Sequence, residues 1–422
     1  MIRFYNGKLL RFGDKISVTD GEVWTDGEYI TYAGEQRDDR PVFEREIDLG
    51  GDLIMPGFKN AHTHSAMTAF RSYADDMELH TWLRERIWPY EARLTEEGVY
   101  YFTKLAVMEY LSSGITACLD MYGHTDSNAR AFADTGFRAV FSSAMNDFDA
   151  DPTQIERDYL KYRSFSSTIS YRLGLHAEYT TCEQRINYMV SLAQKYHEPC
   201  YIHMSETKSE VEECIERTGM TPPQYLDSLG FFDYGGGGYH CVWLSEGDVE
   251  LMAKKGLYAI TCPASNLKLS SGIAEIDRLA AAGIEMGIGT DSTGSNNALD
   301  MFREMYLVSA LQKVKTGDAA AGDADRTLRM ACVGGAHAMG LSDCDELAAG
   351  KKADLIVIDM RQPNMQPPHN IAKNLVYSGS KSNIRLTMVN GKILYENGEF
   401  FLGEDTETVY SRVAEQSARM FA

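Results

Sequence analysis

The sequence has no C-x-x-C pair: its eight cysteines are scattered, several of them in apolar stretches such as ITACLDM and YHCVWL. That pattern excludes a disulfide framework and a thiolate-held metal, and it reads as buried thiols. There is also no run of ~18 apolar residues of the kind that spans a bilayer. The amino terminus, MIRFYNGKLLRFGDK, contains no apolar segment of signal-peptide type. The expectation is a soluble, cytoplasmic protein with no membrane association. Positive charge is scarce, with 41 Lys and Arg against 61 Asp and Glu and a net charge of −20. Such a surface repels phosphate backbones and anionic lipid, which excludes nucleic acid as a partner. What remains, 44% hydrophobic and 24% charged residues in a chain of 422, is the composition of a folded globular protein with a large core.

From about residue 58 the chain alternates short apolar runs with amphipathic segments. The runs are IMPGFKNAH, ITACLDM (115–121), RAVFSSAM (138–145), RLGLHAEY (172–179), CYIHMSE (200–206), YHCVWL (239–244), LYAITCP (257–263) and IEMGIGTD (284–291). Between them, EQRINYMVSLAQKY places Ile186, Met189, Val190, Ala193 and Tyr196 on one helical face. Eight apolar strands separated by helices, with no Gly-rich dinucleotide fingerprint after the first, predict an α/β fold: a closed (β/α)8 barrel over residues 56–349. Residues 1–55 show turn signals at Asn6-Gly7, Asp20-Gly21, Asp26-Gly27 and Ala33-Gly34. Residues 350–400 contain a strand, KKADLIVIDM, and a hairpin turning at Asn390-Gly391. Together they predict a small flanking β domain built from both termini, with 401–422 as a helical tail. The run YGGGGYH (234–240) reads as a loop entering strand six.

In such a barrel, polar residues at the carboxy-terminal strand ends face one mouth. Strand one ends in His62-Thr63-His64, strand four carries His176, strand five ends in His203-Met204-Ser205-Glu206, strand six begins with His240, and strand eight ends in Thr290-Asp291. A lone strand histidine is an ordinary hydrogen-bonded residue, and an H-x-H pair occurs by chance. It is the convergence of several N and O donors on one rim that predicts a metal site. Imidazole and carboxylate without thiolate suit Zn, and also Fe(II), Mn or Co. Three histidines and one aspartate leave a position for water, whose pKa a bound metal lowers to ~7. Glu206 is placed as a proton shuttle, and His240 can hydrogen-bond the attacking oxygen. His124 also falls near the rim, with no role assigned.

At PGFKNAHTH, HMSE, the strand-six HC, PASNLKL (263–269), GTDSTGSNN (289–297) and GKKADLIVID (350 onward), the sequence resembles the amidohydrolase superfamily over almost its whole length. The resemblance implies a mononuclear centre with His62, His64, His203 and Asp291 as ligands, and a homo-oligomer. The stretch HTWLRERIWPYEARLT (80–95) is similar to that of the family's methylthioadenosine and S-adenosylhomocysteine deaminases. This implies Trp82 and Glu91 as nucleoside contacts, the glutamate at the ribose hydroxyls, with His176 and Ser295 as further substrate contacts. On composition alone, Trp82 and Glu91 would be a buried aromatic and a solvated acid on an amphipathic helix.

Three positions depart from the pattern. Ser143 stands where such deaminases carry an arginine, which removes a bidentate carboxylate partner and favours a smaller 5′ group over an amino-acid tail. Glu178 and Ser292 replace the residues usual after the strand-four histidine and the strand-eight aspartate, and either could alter the pocket.

The resulting expectation is hydrolytic deamination of an adenine nucleoside to the hypoxanthine nucleoside and ammonia, with Asp291 taking the proton of the attacking water, Glu206 protonating N1 and His240 stabilising the oxygen. The alternative is deamination, or chloride displacement, on a free base, pterin or triazine ring. A two-metal cyclic-amide hydrolase would need a bridging lysine from strand four, and RLGLHAEY has none. A non-catalytic binding protein is disfavoured by the complete set of ligands and proton-handling residues.

Overall fold

The structure, a computed structural model, describes residues 1–422. Eight parallel strands form one sheet: β1 (Phe58–Thr63), β2 (Ile115–Asp120), β3 (Arg138–Ser142), β4 (Ile169–Ala177), β5 (Cys200–Met204), β6 (Gly236–His240), β7 (Tyr258–Thr261) and β8 (Met286–Ile288). Each pairs with the next in chain order. The first and last meet where the Asp291 N–H donates to the His62 carbonyl at 3.0 Å and Asn60 bridges to Thr290 through both its amide atoms. The barrel of the sequence reading is therefore present. Small residues of β1 and β2, Ala61 and Ala117, face Tyr201 of β5 and Tyr239 of β6 across its interior. Bulk on one side offsets its absence on the other, so the barrel is filled and not a pore.

A nine-stranded mixed sheet flanks it, with strands from both ends of the chain. The two ends join where Leu53–Pro56 runs antiparallel to Leu355–Ile358. The run IMPGFKNAH, which reads as one strand, is thus two strands in two sheets, parted at Gly57. A Cβ there would lie 2.1 Å from the Thr116 side chain, so only glycine lets the chain pass from one sheet to the other.

Two further readings are corrected. Asn6-Gly7 and Asp20-Gly21 are not turns: they lie inside the long strands Ile2–Phe12 and Ile16–Asp26, where Gly7 pairs with Gly21 beside a bulge. Local turn propensity yields here to cross-strand pairing. The glycine run is likewise not a loop but β6 itself, so His240 ends the strand instead of beginning it. Cβ atoms at Gly236 and Gly237 would lie 1.9 Å from the Cys200 carbonyl oxygen and 2.4 Å from that of Tyr258, so the neighbouring strands approach too closely for side chains. The Asn390-Gly391 hairpin does turn where the sequence puts it, with φ of 50° and 76°. The segment Thr406–Met420 is a helix, and no helix is long and apolar enough to cross a membrane.

Arg138 of β3 ties the two sheets together. Its guanidinium donates to both oxygens of Asp354, at 2.6 and 3.0 Å, and to Asn390 Oδ1, with arginine and aspartate almost wholly buried. Removing one partner strands a buried charge. Arg138→Met is expected to destabilise the protein by about 3–5 kcal/mol, measured by urea unfolding. A loss below about 1 kcal/mol would mean that Asp354 finds water instead.

Candidate metal and active site

The mouth of the barrel gathers every strand-end residue singled out above. His64 Nδ1 donates to the Met121 carbonyl at 2.5 Å, and His203 Nδ1 to the His176 carbonyl at 2.6 Å. Those bonds fix the tautomers and aim both Nε2 lone pairs at the centre. His203 Nε2 lies 3.1 Å from His62 Nε2, and Asp291 Oδ1 lies 3.2 Å from His64 Nε2 and 3.7 Å from His62 Nε2. Burial, joined by the neighbouring imidazoles, pushes the pKa values of His62 and His203 well below the ordinary histidine range. Two neutral imidazoles with lone pairs face to face are unfavourable alone but suited to a shared cation, so the donor set fits a metal ion. His62, His64 and Asp291 offer donors within 4.8 Å of one another, as do His62, His203 and His240. Burial would raise the Asp291 carboxyl, but the hydrogen bond and charge of His64 hold it well below the carboxylate range.

Around this centre the chain turns sharply. Ser205, His240, Cys241 and Asp291 all have φ between 50° and 69°, a region that non-glycine residues seldom occupy. Such strain gathers at functional sites, where the surroundings over-determine it, and several of the residues that do so escaped the sequence reading. Glu210 accepts the backbone N–H groups of Ser205 and Glu206, each at 2.8 Å, and holds the loop that presents Glu206. Its signature was legible: Thr207 and Glu210 form a capping box of the T-x-x-E type at the start of helix Lys208–Thr218. Asn266, within PASNLKL, accepts from His240 Nδ1 at 2.7 Å. Ser265 and Ser295 donate to Asp291 Oδ2 at 2.5 and 2.9 Å, and Ser271 donates to Glu206 Oε1 at 3.1 Å. No local pattern could find Ser265, Asn266 or Ser271, whose partners follow other strands, whereas Ser295, expected as a substrate contact, bonds Asp291 four residues before it.

Glu206 is buried 3.7 Å from His240 Nε2, and burial raises its pKa, the direction a proton donor needs. Burial likewise brings His176 to about 4, so its ring is neutral; its Nδ1 lies 3.0 Å from Thr180 Oγ1.

One cavity of about 710 Å³ opens from this centre. Trp82, Glu91, His124, His176, Ser292 and Ser295 all line it. Trp82 is 4% exposed, against Gly294; Glu91 is half-buried beside Tyr122. The Ser295 hydroxyl bonds to Asp291. Ser143 also lines the cavity, but its hydroxyl donates to the Gly174 carbonyl at 2.8 Å and accepts the Gly174 N–H at 2.7 Å. Glu178 does not line it: its carboxylate turns away to pair with Arg217, whereas Ser292 does line it.

A (β/α)8 barrel whose strand ends carry a His/Asp metal site with a buried glutamate beside it defines a metal-dependent hydrolase. The chain belongs to the amidohydrolase family, whose sequence profile matches residues 53–394. It is 39% identical over 408 residues to the 5-methylthioadenosine/S-adenosylhomocysteine deaminase of Pelotomaculum thermopropionicum, covering 95% of this chain and 94% of that one. It is 38% identical over 380 residues to the 5′-deoxyadenosine deaminase of Methanopyrus kandleri, covering 88% of each. The crystal structure of an adenosine deaminase from Xanthomonas campestris with bound zinc superposes with a TM-score of 0.94 at 30% identity, covering 100% of this chain and 98% of that one.

Proposed function

We propose that this protein hydrolytically deaminates adenine nucleosides, such as 5′-deoxyadenosine, methylthioadenosine or adenosine, to the hypoxanthine nucleoside and ammonia. The observation that carries this reading is a single cavity joining the metal centre and Glu206 to Glu91 and Trp82. The near full-length likeness to deaminases of 5′-modified adenosines supports the same substrate class.

His62, His64, His203 and Asp291 would hold the ion, most simply zinc, as in the Xanthomonas relative. When bound, the metal supplies a Lewis acid and a water nucleophilic at neutral pH. The remaining steps belong to the chain. The Asp291 carboxylate takes the proton of the water attacking C6. Glu206 gives its own proton to N1 of the purine, which breaks the ring aromaticity; its carboxylate then takes the remaining hydroxyl proton at C6 and hands it to the departing amine, and the proton held by Asp291 returns to Glu206. His240, oriented by Asn266, donates a hydrogen bond to the oxygen at C6. The indole of Trp82 packs against the ligand, and Glu91 accepts two hydrogen bonds from the vicinal ribose diol. With Ser143 bonded to Gly174, no guanidinium takes a carboxylate tail, which argues against S-adenosylhomocysteine.

Ammonia release from zinc-loaded protein tests the reading. 5′-Deoxyadenosine and methylthioadenosine should turn over, and Glu91→Ala should lower kcat/KM on them by about 10²-fold through loss of two charge-assisted hydrogen bonds. Glu91→Ala with no effect, alongside turnover of free adenine or a triazine, would instead favour the free-ring alternative.

A further inference from the structure

The cavity has a second end. Beyond Glu206 and Asp291, its lining carries Glu91, Glu96, Asp126, Asp149, Asp151 and Asp158, and neither lysine nor arginine. Asp126, Asp149, Asp151 and Asp158 lie on the segments that follow β2 and β3. With C6 of the purine at the metal centre and the ribose diol at Glu91, the 5′ substituent is the part of the nucleoside left to reach them.

Two of these carboxylates have cations of their own, both outside: Asp126 pairs with Lys161 at 2.8 Å and Asp151 with Arg157 at 2.6 Å, side chains 50% and 55% exposed. The other two have none. Asp158, 9% exposed, accepts only neutral donors, Thr125 Oγ1 at 3.0 Å and Gln154 Nε2 at 2.6 Å. Asp149, half-buried, accepts the Asn146 N–H at 2.9 Å. The nearby Arg185 guanidinium pairs with Asp147 and donates to the Asp149 backbone carbonyl, so it forms no ion pair with the Asp149 carboxylate and acts on it only at longer range. Burial pushes both carboxyls above the ordinary aspartate range, outweighing the more distant charges of Arg185 and Lys161.

Two independent features of the same cavity also suit a cation. Phe148, 73% exposed, and Trp88 pack with ring centroids 5.2 Å apart and both line the cavity, presenting aromatic faces beside the carboxylates. The Tyr122 hydroxyl, nine-tenths buried in the lining, lies beside Glu91, and with its proton turned to that carboxylate its oxygen is left free to accept from a donor.

We propose that the preferred nucleoside carries a cationic 5′ substituent, an ammonium or sulfonium group, held by Asp149 and Asp158 against the Trp88–Phe148 pair. The inference rests on the deaminase reading above and sharpens its substrate class.

The test compares kcat/KM of zinc-loaded protein at pH 7 for 5′-amino-5′-deoxyadenosine, 5′-deoxyadenosine and adenosine 5′-carboxylate. The ammonium compound should exceed the neutral one by about tenfold and the carboxylate should fall about a hundredfold below it, with the first ratio shrinking as salt screens the wall. Asp149→Asn, on a partly exposed loop where folding is not at stake, should lower the ammonium-to-neutral ratio severalfold, and Asp149→Glu should restore part of it. Brisk turnover of the neutral nucleoside with no gain from the ammonium group would overturn this inference and leave the deaminase reading standing. Silence on all three compounds would overturn both.

Discussion

Glu206→Gln is expected to lower nucleoside deamination by between about 10² and 10⁴-fold while the protein keeps its metal. Glutamine preserves the shape of the side chain and can still meet the Ser271 hydroxyl, which sits 3.1 Å from Oε1. It cannot carry a proton to N1, nor hand one to the leaving amine. The loss should appear in kcat, with KM little changed, because the residue acts on the reacting atoms and not on the sugar. Turnover, metal content by elemental analysis and binding of the hypoxanthine product should be measured together. A variant that holds metal and product yet retains full turnover would remove Glu206 from the mechanism and place the proton transfer on His240.

The second large effect is expected from metal removal. Dialysis against a chelator should abolish turnover, and one equivalent of zinc should restore it. Stability should follow: an ion present at about a thousand times its Kd contributes about 4 kcal/mol to the folded state, so stripping it should lower Tm by roughly 5 °C or more. The cause is visible in the donor set. His62 and His203 present nitrogens 3.1 Å apart inside the barrel, and Asp291 is wedged against His64, so without a cation the centre holds clustered lone pairs and a buried carboxylate. If the stripped protein were as heat-stable and as active as the loaded one, the cluster would be a structural hydrogen-bond network and the hydrolytic chemistry would need another source. Manganese and iron are informative competitors, since nothing in an N/O ligand set rejects them outright.

How much was legible in the sequence differs from element to element. The eight barrel strands are readable because each is short, apolar and followed by a helix, a purely local pattern. Two were misdrawn for reasons of close approach. Gly236–Gly238 reads as a flexible loop until the strands on either side are seen to leave no room for a Cβ, and Gly57 reads as the middle of a strand until Thr116 is seen beside it. Asn6-Gly7 and Asp20-Gly21 mimic turns because the same small residues serve a bulge where two long strands pair antiparallel. At the site, the capping box of Thr207 and Glu210 was there to be read, whereas Ser265, Asn266 and Ser271 could be found only once β5 to β8 were side by side.

By itself the sequence determined the alternation that makes a barrel and which residues stand at its strand ends: the histidines of β1, β4, β5 and β6, Glu206, and Asp291 after β8. Those are properties of short segments, where side-chain type and spacing suffice. Only the tertiary structure decided what lies behind and across from them. It bonded Ser143 to its neighbouring strand, turned Glu178 out toward Arg217, set Asn266 behind His240, and gathered carboxylates from the segments after β2 and β3 onto one wall of a cavity that no lysine or arginine lines. Closure of the barrel brings residues more than a hundred positions apart within hydrogen-bond reach, and no local pattern encodes which of them will meet.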